Sequence, residues 1–531
     1  MYLSTSLAIF TYPTTIKINK IKYKEKNMSN KVKKESSIEW FFWCDEAFQK
    51  AEKENKAIFI SIAYYTCSLC HEMKERVIED EICSKTLNES FVCIKLDREE
   101  RPDLDKYYQN VHQLLNNRAG GWPLSVFCTP QNKPFFAGTY ITLESEVGSI
   151  EGMGFKELTK LIASKVDEND LSLYQNADEV EDFLAKETHP TEATVLKESF
   201  VKNFMLQCKN SYETSFGGFS VSPKFPQTNT LNTLMTIDKL YADKAAKAMV
   251  INTLNEMKKG GMYDLENGGF YRYCTDIEWK VPHLEKTLYD NALLCEAYRN
   301  AYATYKDDSY LQVAKECADF WYNFMQKDGL FYSVVDTTSQ DTIYDKKIQT
   351  SWSAMMIKAL FNLGQIDVQY TQKAKDALDV LLESLYIDSQ LYHTTFVGEK
   401  PDIKAFLEDY AFLSSALIQA FTCTKDEMYL IQAQRFTNSA LEYFYKNGNW
   451  NFSDGDFTTK VDIYDNTYTS AVSVMVDVML SIGVELKDEK YTHFAFKTME
   501  YNSYELGRKP VHSPYMLSQM LRYLGYNKNT K

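Results

Sequence analysis

Two cysteines three residues apart, in Cys67-Ser68-Leu69-Cys70, are the most chemically distinctive arrangement in this sequence of 531 residues. Thiols at that spacing can close into a disulfide and reopen by exchange with another sulfur. Their context sharpens the reading. The preceding run, Ala57-Ile58-Phe59-Ile60-Ser61-Ile62-Ala63, is almost wholly apolar and reads as a buried strand. From Ser68 onward the pattern turns helical, with Leu69, Met73 and Val77 on one face. Cys67 therefore falls at a helix N-terminus, where partial positive charge favours a thiolate, and is expected to be exposed. Cys70, one turn inside, is placed to resolve a mixed disulfide. Two other readings stay open. The pair could be reduced core residues, or it could bind a metal with His71 and Cys83 or Cys93. Zinc wants four ligands at characteristic spacings, and no second Cys-x-x-Cys or His-x3-His completes the set. The sequence calls for no metal and no cofactor.

The elements that must hold this pair follow from the apolar pattern. Phe91–Leu96 reads as a second buried strand, and Asp97–Asn117 as a helix striped by Leu104, Tyr108, Val111 and Leu115. Pro123–Phe127 and Phe135–Ile141 read as two further strands, joined by a turn at Gln131-Asn132-Lys133-Pro134. A helix over Phe155–Leu184 packs back on the sheet. The order β-α-β-α-β-β gives an α/β thioredoxin-like domain at residues 38–187. In such folds a cis-proline begins the strand beside the dithiol, and Pro123 after Trp122 stands at that place; an ordinary strand-initiating proline is the plainer reading. His189-Pro190-Thr191 marks a linker, at 188–194.

Composition narrows the function classes. The net charge of −14 leaves no basic face for a phosphate backbone, so nucleic acid is not an expected partner. The Lys-rich stretch from Lys17 to Lys34 reads as a solvated tail, and residues 1–37 as disordered. Met1–Thr15 lacks an early Lys or Arg and a small-residue cleavage site, so it is not read as a signal peptide; Met28 is a second candidate start. No run approaches the roughly 18 apolar residues of a spanning helix, so no membrane is expected. Eleven scattered cysteines, an odd number, fit a reducing cytoplasm better than a secreted framework.

Beyond Thr194 the character changes to about twelve amphipathic helical stretches with little strand. A Gly-aromatic signature recurs between helix pairs, about 50 to 60 residues apart, as in Gly217-Gly218-Phe219, Gly268-Gly269-Phe270 and Gly448-Asn449-Trp450. Six hairpins closing on themselves would make an (α/α)6 toroid over residues 195–531, with an open solenoid as the alternative. The densest polar-aromatic run is Tyr263–Asp290. Pro282 suggests that His283 lies in the first turn of a helix over His283–Tyr305, with Glu285 and Lys286 at its mouth. Tyr273 and Trp279 are candidates to stack on a sugar, Glu285 and Asp290 to act as acid or base, and His283 to abstract a proton beside a carbonyl. Arg272 and Asp276 complete the candidate cleft. The plainer readings are a capping His283, helix-end charge pairs, and structural loop closure by the Gly-Phe-Tyr repeats.

The sequence resembles the thioredoxin-domain proteins of the YyaL and spermatogenesis-associated type over nearly the whole chain after Ile38. Thr66–Met73, Lys95-Leu96-Asp97-Arg98-Glu99-Glu100-Arg101-Pro102-Asp103 and Gly120-Gly121-Trp122-Pro123-Leu124 carry the likeness in the first part. Ser222–Pro226, Trp279–Ala292, Thr350-Ser351-Trp352 and Leu407-Glu408-Asp409-Tyr410-Ala411 carry it in the second. The resemblance implies a thioredoxin-like domain joined to an (α/α)6 toroid of the six-hairpin-glycosidase type, and adds Trp352 and Asp409 to the cleft candidates. There are departures. Cys-Ser-Leu-Cys-His stands where the family has Cys-His-Trp-Cys-His. The acidic stretch and the late Pro-Ser-Gly-Asn-Ser segment are replaced by Val334–Thr338 and Tyr468–Val472. Three functions are consistent with all this. The first is a thiol-disulfide oxidoreductase using Cys67, Cys70 and Pro123, acting on a disulfide-containing protein or small thiol, with the toroid as substrate-binding module. The second is a carbohydrate-active toroid holding a sugar. The third is a non-catalytic scaffold.

Overall fold

The computed structural model describes residues 36–145, 152–185, 193–338, 342–454 and 458–529. The expected tail over 1–35 and the linker motif at His189-Pro190-Thr191 lie outside these ranges.

Five strands form the first sheet: β1 Trp40–Phe41, β2 Ala57–Ala63, β3 Phe91–Asp97, β4 Leu124–Cys128 and β5 Pro134–Gly138, in the order β1-β3-β2-β4-β5. β1, β3 and β2 run parallel, while β4 and β5 are antiparallel additions. The near-continuous apolar runs of β2 and β3 have a simple cause: both faces are covered. Phe59, Cys93 and Phe127 pack on one side with Met73, Val77 and Phe155. Ile58, Ile60, Ile94 and Val126 pack on the other with Ala51, Leu104 and Tyr108. The covering helices are α1 Asp45–Glu54, α2 Ser68–Met73, α3 Glu81–Ser90, α4 Pro102–Asn116, α5 Phe155–Asp167 and α6 Leu171–Ala185. This is the expected thioredoxin-like arrangement, with β1, α1 and α3 added.

Three local expectations are corrected. α2 passes into a π-helical turn at Lys74–Ile78, and Leu69 is 51% exposed while Met73 and Val77 are buried. Cys70 takes the inward position of the first turn, so Leu69 faces water. α4 begins at Pro102, not Asp97, because Asp97–Arg101 is a turn and proline suits the first helical position. The single helix expected over Phe155–Leu184 is two, divided at Asn169, which sits at φ +50°.

The rest of the described chain is a closed double ring of helices. Thr228–Tyr241, Leu288–Tyr305, Thr350–Gly364, Leu407–Thr424, Ala471–Glu485 and Pro514–Asn529 form the inner ring. Each packs on the next, and the last packs on the first, so the solenoid alternative is excluded. The inner helices at Thr350 and Leu407 are apolar nearly all round, as burial on every side requires. The outer helices, such as Asp308–Phe324 and Gln369–Leu385, bury one stripe. The Gly-aromatic repeats close the loops. Gly218, at φ +82°, is one such point: a Cβ there would lie 2.8 Å from the Lys224 side chain and 2.9 Å from the Trp279 ring.

Candidate functional site at the domain interface

Cys67 and Cys70 form a disulfide at the start of α2. Cys67 is the N-cap residue, and the Cys70 N–H donates to its Sγ at 3.2 Å. Pro123 lies at the head of β4 and follows a cis Trp122–Pro123 peptide bond, as expected of the position. The expected exposure of Cys67 is not found. It is 3% exposed and Cys70 8%. The toroid comes close at this point: the Thr66 hydroxyl, one residue before Cys67, donates to Glu285 Oε1 at 2.6 Å.

That bond belongs to a polar seam between sheet domain and toroid. Arg272 Nη1 donates to Tyr64 Oη at 3.0 Å and to Glu285 Oε2 at 2.8 Å. Lys347 Nζ meets Asp97 at 2.8 Å, Glu99 at 3.1 Å and Asp345 at 2.8 Å. One ammonium shared by three carboxylates does not hold all of them ionised in a buried place, and burial keeps the Glu99 proton on up to about 8. His393 Nε2 donates to the Glu99 carbonyl at 2.8 Å, and its Nδ1 to Asp409 at 2.8 Å. Lys106 pairs with Asp462 at 3.1 Å, and the Thr459 hydroxyl donates to the Asp103 carbonyl at 3.0 Å.

Of the toroid candidates, Arg272 and Glu285 sit in this seam, and Asp290 and Trp352 in the ring centre beneath it. Burial raises the Asp290 carboxyl to about 7, opposed by Arg272 and by the hydroxyl hydrogen bond from Thr287 at 2.6 Å. Trp352 packs edge-on to Tyr289, with ring centroids 4.6 Å apart, and Tyr468 closes the same aromatic box at 5.2 Å from Tyr289. Asp409 is a brace: it accepts the N–H groups of Ser351 and Phe406 as well as the His393 proton.

Trp279 and Asp276 fall elsewhere, while His283 borders the seam, its Nδ1 4.0 Å from Glu285 Oε2. Trp279 is fully buried, with its indole N–H donating to the Phe216 carbonyl, so it offers no face to a sugar. Asp276 accepts the N–H groups of Glu278, Lys280 and Val281 and ties its own loop. His283 is not in a helix. Its N–H pairs with the Tyr273 carbonyl, its ring stacks on Tyr273 at 4.9 Å, and the helix begins only at Leu288. Glu285, held by Arg272 and Thr66, is a fixed acceptor rather than a free acid or base.

Among the described residues one group has metal-ligand geometry, His393, Glu408 and Asp409. Both His393 nitrogens donate to acceptors, and Asp409 raises its pKa to about 9, so it is an imidazolium with no lone pair for a metal. Cys83 and Cys93 are buried in the core against β3, and burial holds the Cys83 thiol up at about 12. A cleft of about 320 Å³ opens beside Asp264, Tyr271 and Lys286. It lies on the opposite face of the strand Glu285–Thr287 from Glu285, since strand neighbours alternate. The sequence reading passed over Arg98, Glu99, Lys347, His393 and Glu408. Arg98 and Glu99 lie within Lys95–Asp103 and Glu408 within Leu407–Ala411, while Lys347 and His393 carry no local signal.

Comparison with known proteins matches this two-part build. Residues 19–185 match a thioredoxin-like family described as a protein of unknown function, DUF255. Human spermatogenesis-associated protein 20 is 37% identical over 316 residues, 57% of this chain and 39% of that protein, so the match spans about two fifths of the relative's length. An uncharacterized Caenorhabditis elegans protein is 26% identical over 92% of this chain and 83% of its own. The toroid shares its fold with a sugar epimerase from a ruminal bacterium (TM-score 0.52, 14% identity, 62% of this chain and 98% of that one). It also does so with a D-mannose isomerase (TM-score 0.51, 11% identity, 63% and 100%).

Proposed function

Taking as premise that the chain belongs with the thioredoxin-domain proteins of the spermatogenesis-associated type, we propose that it is a thiol-disulfide oxidoreductase whose toroid walls the approach to the dithiol. The observation that carries this reading is the Cys67–Cys70 disulfide at a helix N-terminus, with Cys67 in the capping position. The Cys67 sulfur accepts the Cys70 N–H and caps α2, a placement that favours a thiolate when the pair is reduced. That thiolate attacks one sulfur of a substrate disulfide. A Cys67–substrate disulfide forms, and the other half leaves as a thiolate that takes a proton from water. Cys70, deprotonated, then attacks Cys67 Sγ, the second half leaves as a thiol, and the Cys67–Cys70 bond is remade. The substrate gains two electrons and the dithiol loses two. Two equivalents of a low-molecular-weight thiol re-reduce the pair through a mixed disulfide and leave as their own disulfide. Nine free cysteines, seven of them buried, are in keeping with a reducing, cytoplasmic setting. Among the described residues no helix is long and apolar enough to cross a membrane.

The toroid fold alone, shared with sugar isomerases, does not bring a sugar to this chain: Trp279 is buried and Glu285 is engaged. The test is mass-spectrometric thiol trapping of the full chain across a glutathione redox series. A reversible two-electron transition that vanishes in Cys67→Ser is expected. A pair that never changes state would rule the reading out.

A further inference from the structure

Arg98 follows β3, and its N–H donates to the Ala63 carbonyl at the end of β2, three residues before Thr66. Its guanidinium is clamped between aromatic rings, 4.0 Å from the Trp122 centroid and 4.9 Å from that of Tyr64. The residue is 8% exposed, and its Nε has no hydrogen-bond acceptor. Among the described residues no carboxylate pairs with it. The acids within electrostatic range are committed elsewhere, Glu99 to Lys347, Asp105 to the Trp122 indole N–H at 2.9 Å and Asp290 to the Thr287 hydroxyl at 2.6 Å. Tyr289, on the inner helix Leu288–Tyr305, lies within electrostatic reach of Arg98 across the interface, and burial keeps its phenol protonated. Its hydroxyl is also buried and without a partner, in a residue 1% exposed. A buried cation without a carboxylate and a buried hydroxyl without a hydrogen-bond partner each cost free energy. Two domains bringing such groups together describe a site waiting for an acceptor.

We propose that Arg98 and the Tyr289 hydroxyl bind the carboxylate of a small molecule, and that this molecule is a carboxylate-bearing thiol or disulfide on which the neighbouring Cys67–Cys70 pair acts. The second half rests on the oxidoreductase reading, and the first does not. A guanidinium's planar fork matches a carboxylate's two oxygens. Charge favours a monoanionic group over a phosphate dianion, because Glu285 and Asp290 already lie close to Arg272, and Asp290 to Arg98 as well. Tyr64 lies three residues before Cys67 and accepts the Cys67 N–H on its carbonyl at 3.2 Å, so the aromatic clamp on Arg98 is built on the turn that leads into the dithiol. Both rings are partly exposed, which gives the site a face to solvent. The small size follows from the covering toroid: a residue 3% exposed, with its neighbour bonded to Glu285, does not admit a folded protein's disulfide.

Two measurements on the full chain separate the halves. In the first, 3,3′-thiodipropionate, a dicarboxylate with no disulfide, is titrated against the oxidised protein by thermal shift, with inorganic phosphate in parallel. Stabilisation by the dicarboxylate is expected, with affinity at least about tenfold weaker in Tyr289→Phe and no stabilisation in Arg98→Gln. Tyr289→Phe removes only a hydroxyl, so it serves if Arg98→Gln does not fold. No shift with the dicarboxylate, or a shift with phosphate alone, overturns the site. In the second, the reduced protein is oxidised by 3,3′-dithiodipropionate or by the neutral bis(2-hydroxyethyl) disulfide. The anionic disulfide is expected to react at least about tenfold faster, with that ratio falling toward one in Arg98→Gln. Equal rates in the wild-type chain overturn the substrate class. Failure of both disulfides to oxidise the pair, with the thermal shift intact, removes the oxidoreductase reading and leaves the carboxylate site standing.

Discussion

His393 shows how a single residue joins the two domains and makes their stability depend on pH. Its ring is fully buried, hydrogen-bonded to Asp409 on one side and to the Glu99 carbonyl on the other. Asp409 raises it from 6.5 to about 9. A group whose folded pKa lies above its unfolded value contributes stability that is fully present below the unfolded pKa and is lost as pH rises through the folded one. The His393 contribution is therefore complete below 6.5 and gone above about 9, and a shift of that size corresponds to about 3 kcal/mol. The urea midpoint should fall between neutral pH and pH values above 9, and His393→Gln should flatten that fall while lowering the neutral midpoint. An equal slope in the variant would assign it to other groups. At this scale the sequence was a partial guide. The placement of Cys67, Cys70 and Pro123 was legible because it depends on near neighbours in the chain, whereas the burial of Cys67 is set by the toroid. Asp276 and Trp279 were misread because a loop-tying carboxylate and a buried indole have the same letters as a binding cleft.

At the scale of elements, the start of the helix Leu288–Tyr305 is instructive. Pro282 pointed to a start at His283, but the chain from Arg272 to Glu285 pairs with itself and with Lys224 as extended backbone. The operative signal was Thr287. It is the N-cap, its Oγ1 accepts the Asp290 N–H, and its hydroxyl donates to the Asp290 carboxyl. Thr-x-x-Asp is a capping pattern that competes with proline as a start signal, and here tertiary pairing of the upstream strand decided between them. Thr287→Ala should destabilise the chain by about 1 kcal/mol through the lost cap. It should also free the Asp290 carboxyl, and the urea midpoint of the variant checks the first effect. The buried strands β2 and β3 were legible for the opposite reason: a strand covered on both faces is apolar throughout, and no long-range fact is needed to see it.

At the scale of the whole molecule, the seam between domains is the feature no local reading could supply. Thr66 and Glu285 stand 219 residues apart, and Glu99 and His393 294 apart. Lys347 holds Asp97, Glu99 and Asp345 together across it. Burial keeps Glu99 protonated up to about 8 against an ordinary 4.5. The fold therefore holds a proton that the unfolded chain gives up. Its stabilising effect is full below 4.5 and is lost as pH rises through about 8, by at most about 1.4 kcal/mol per pH unit. Hydrogen exchange in the Asp97–Arg101 turn should accelerate beyond its intrinsic pH dependence over that range. Glu99→Gln, neutral at every pH, should remove the excess; an unchanged excess would place the titration elsewhere.

The Thr66–Glu285 hydrogen bond sets a thermodynamic symmetry between the domains. Thr66 adjoins Cys67, and Glu285 is bonded to Arg272, so a continuous hydrogen-bonded path joins the disulfide to the toroid's mouth, and coupling along it is expected. Linkage then works in both directions: a ligand that binds the oxidised chain ten times more tightly than the reduced one makes the dithiol harder to reduce, by about 30 mV for a two-electron couple. Under the proposed oxidoreductase reading, the potential of Cys67–Cys70 would then report the concentration of such a ligand as well as the chemistry of the sulfurs.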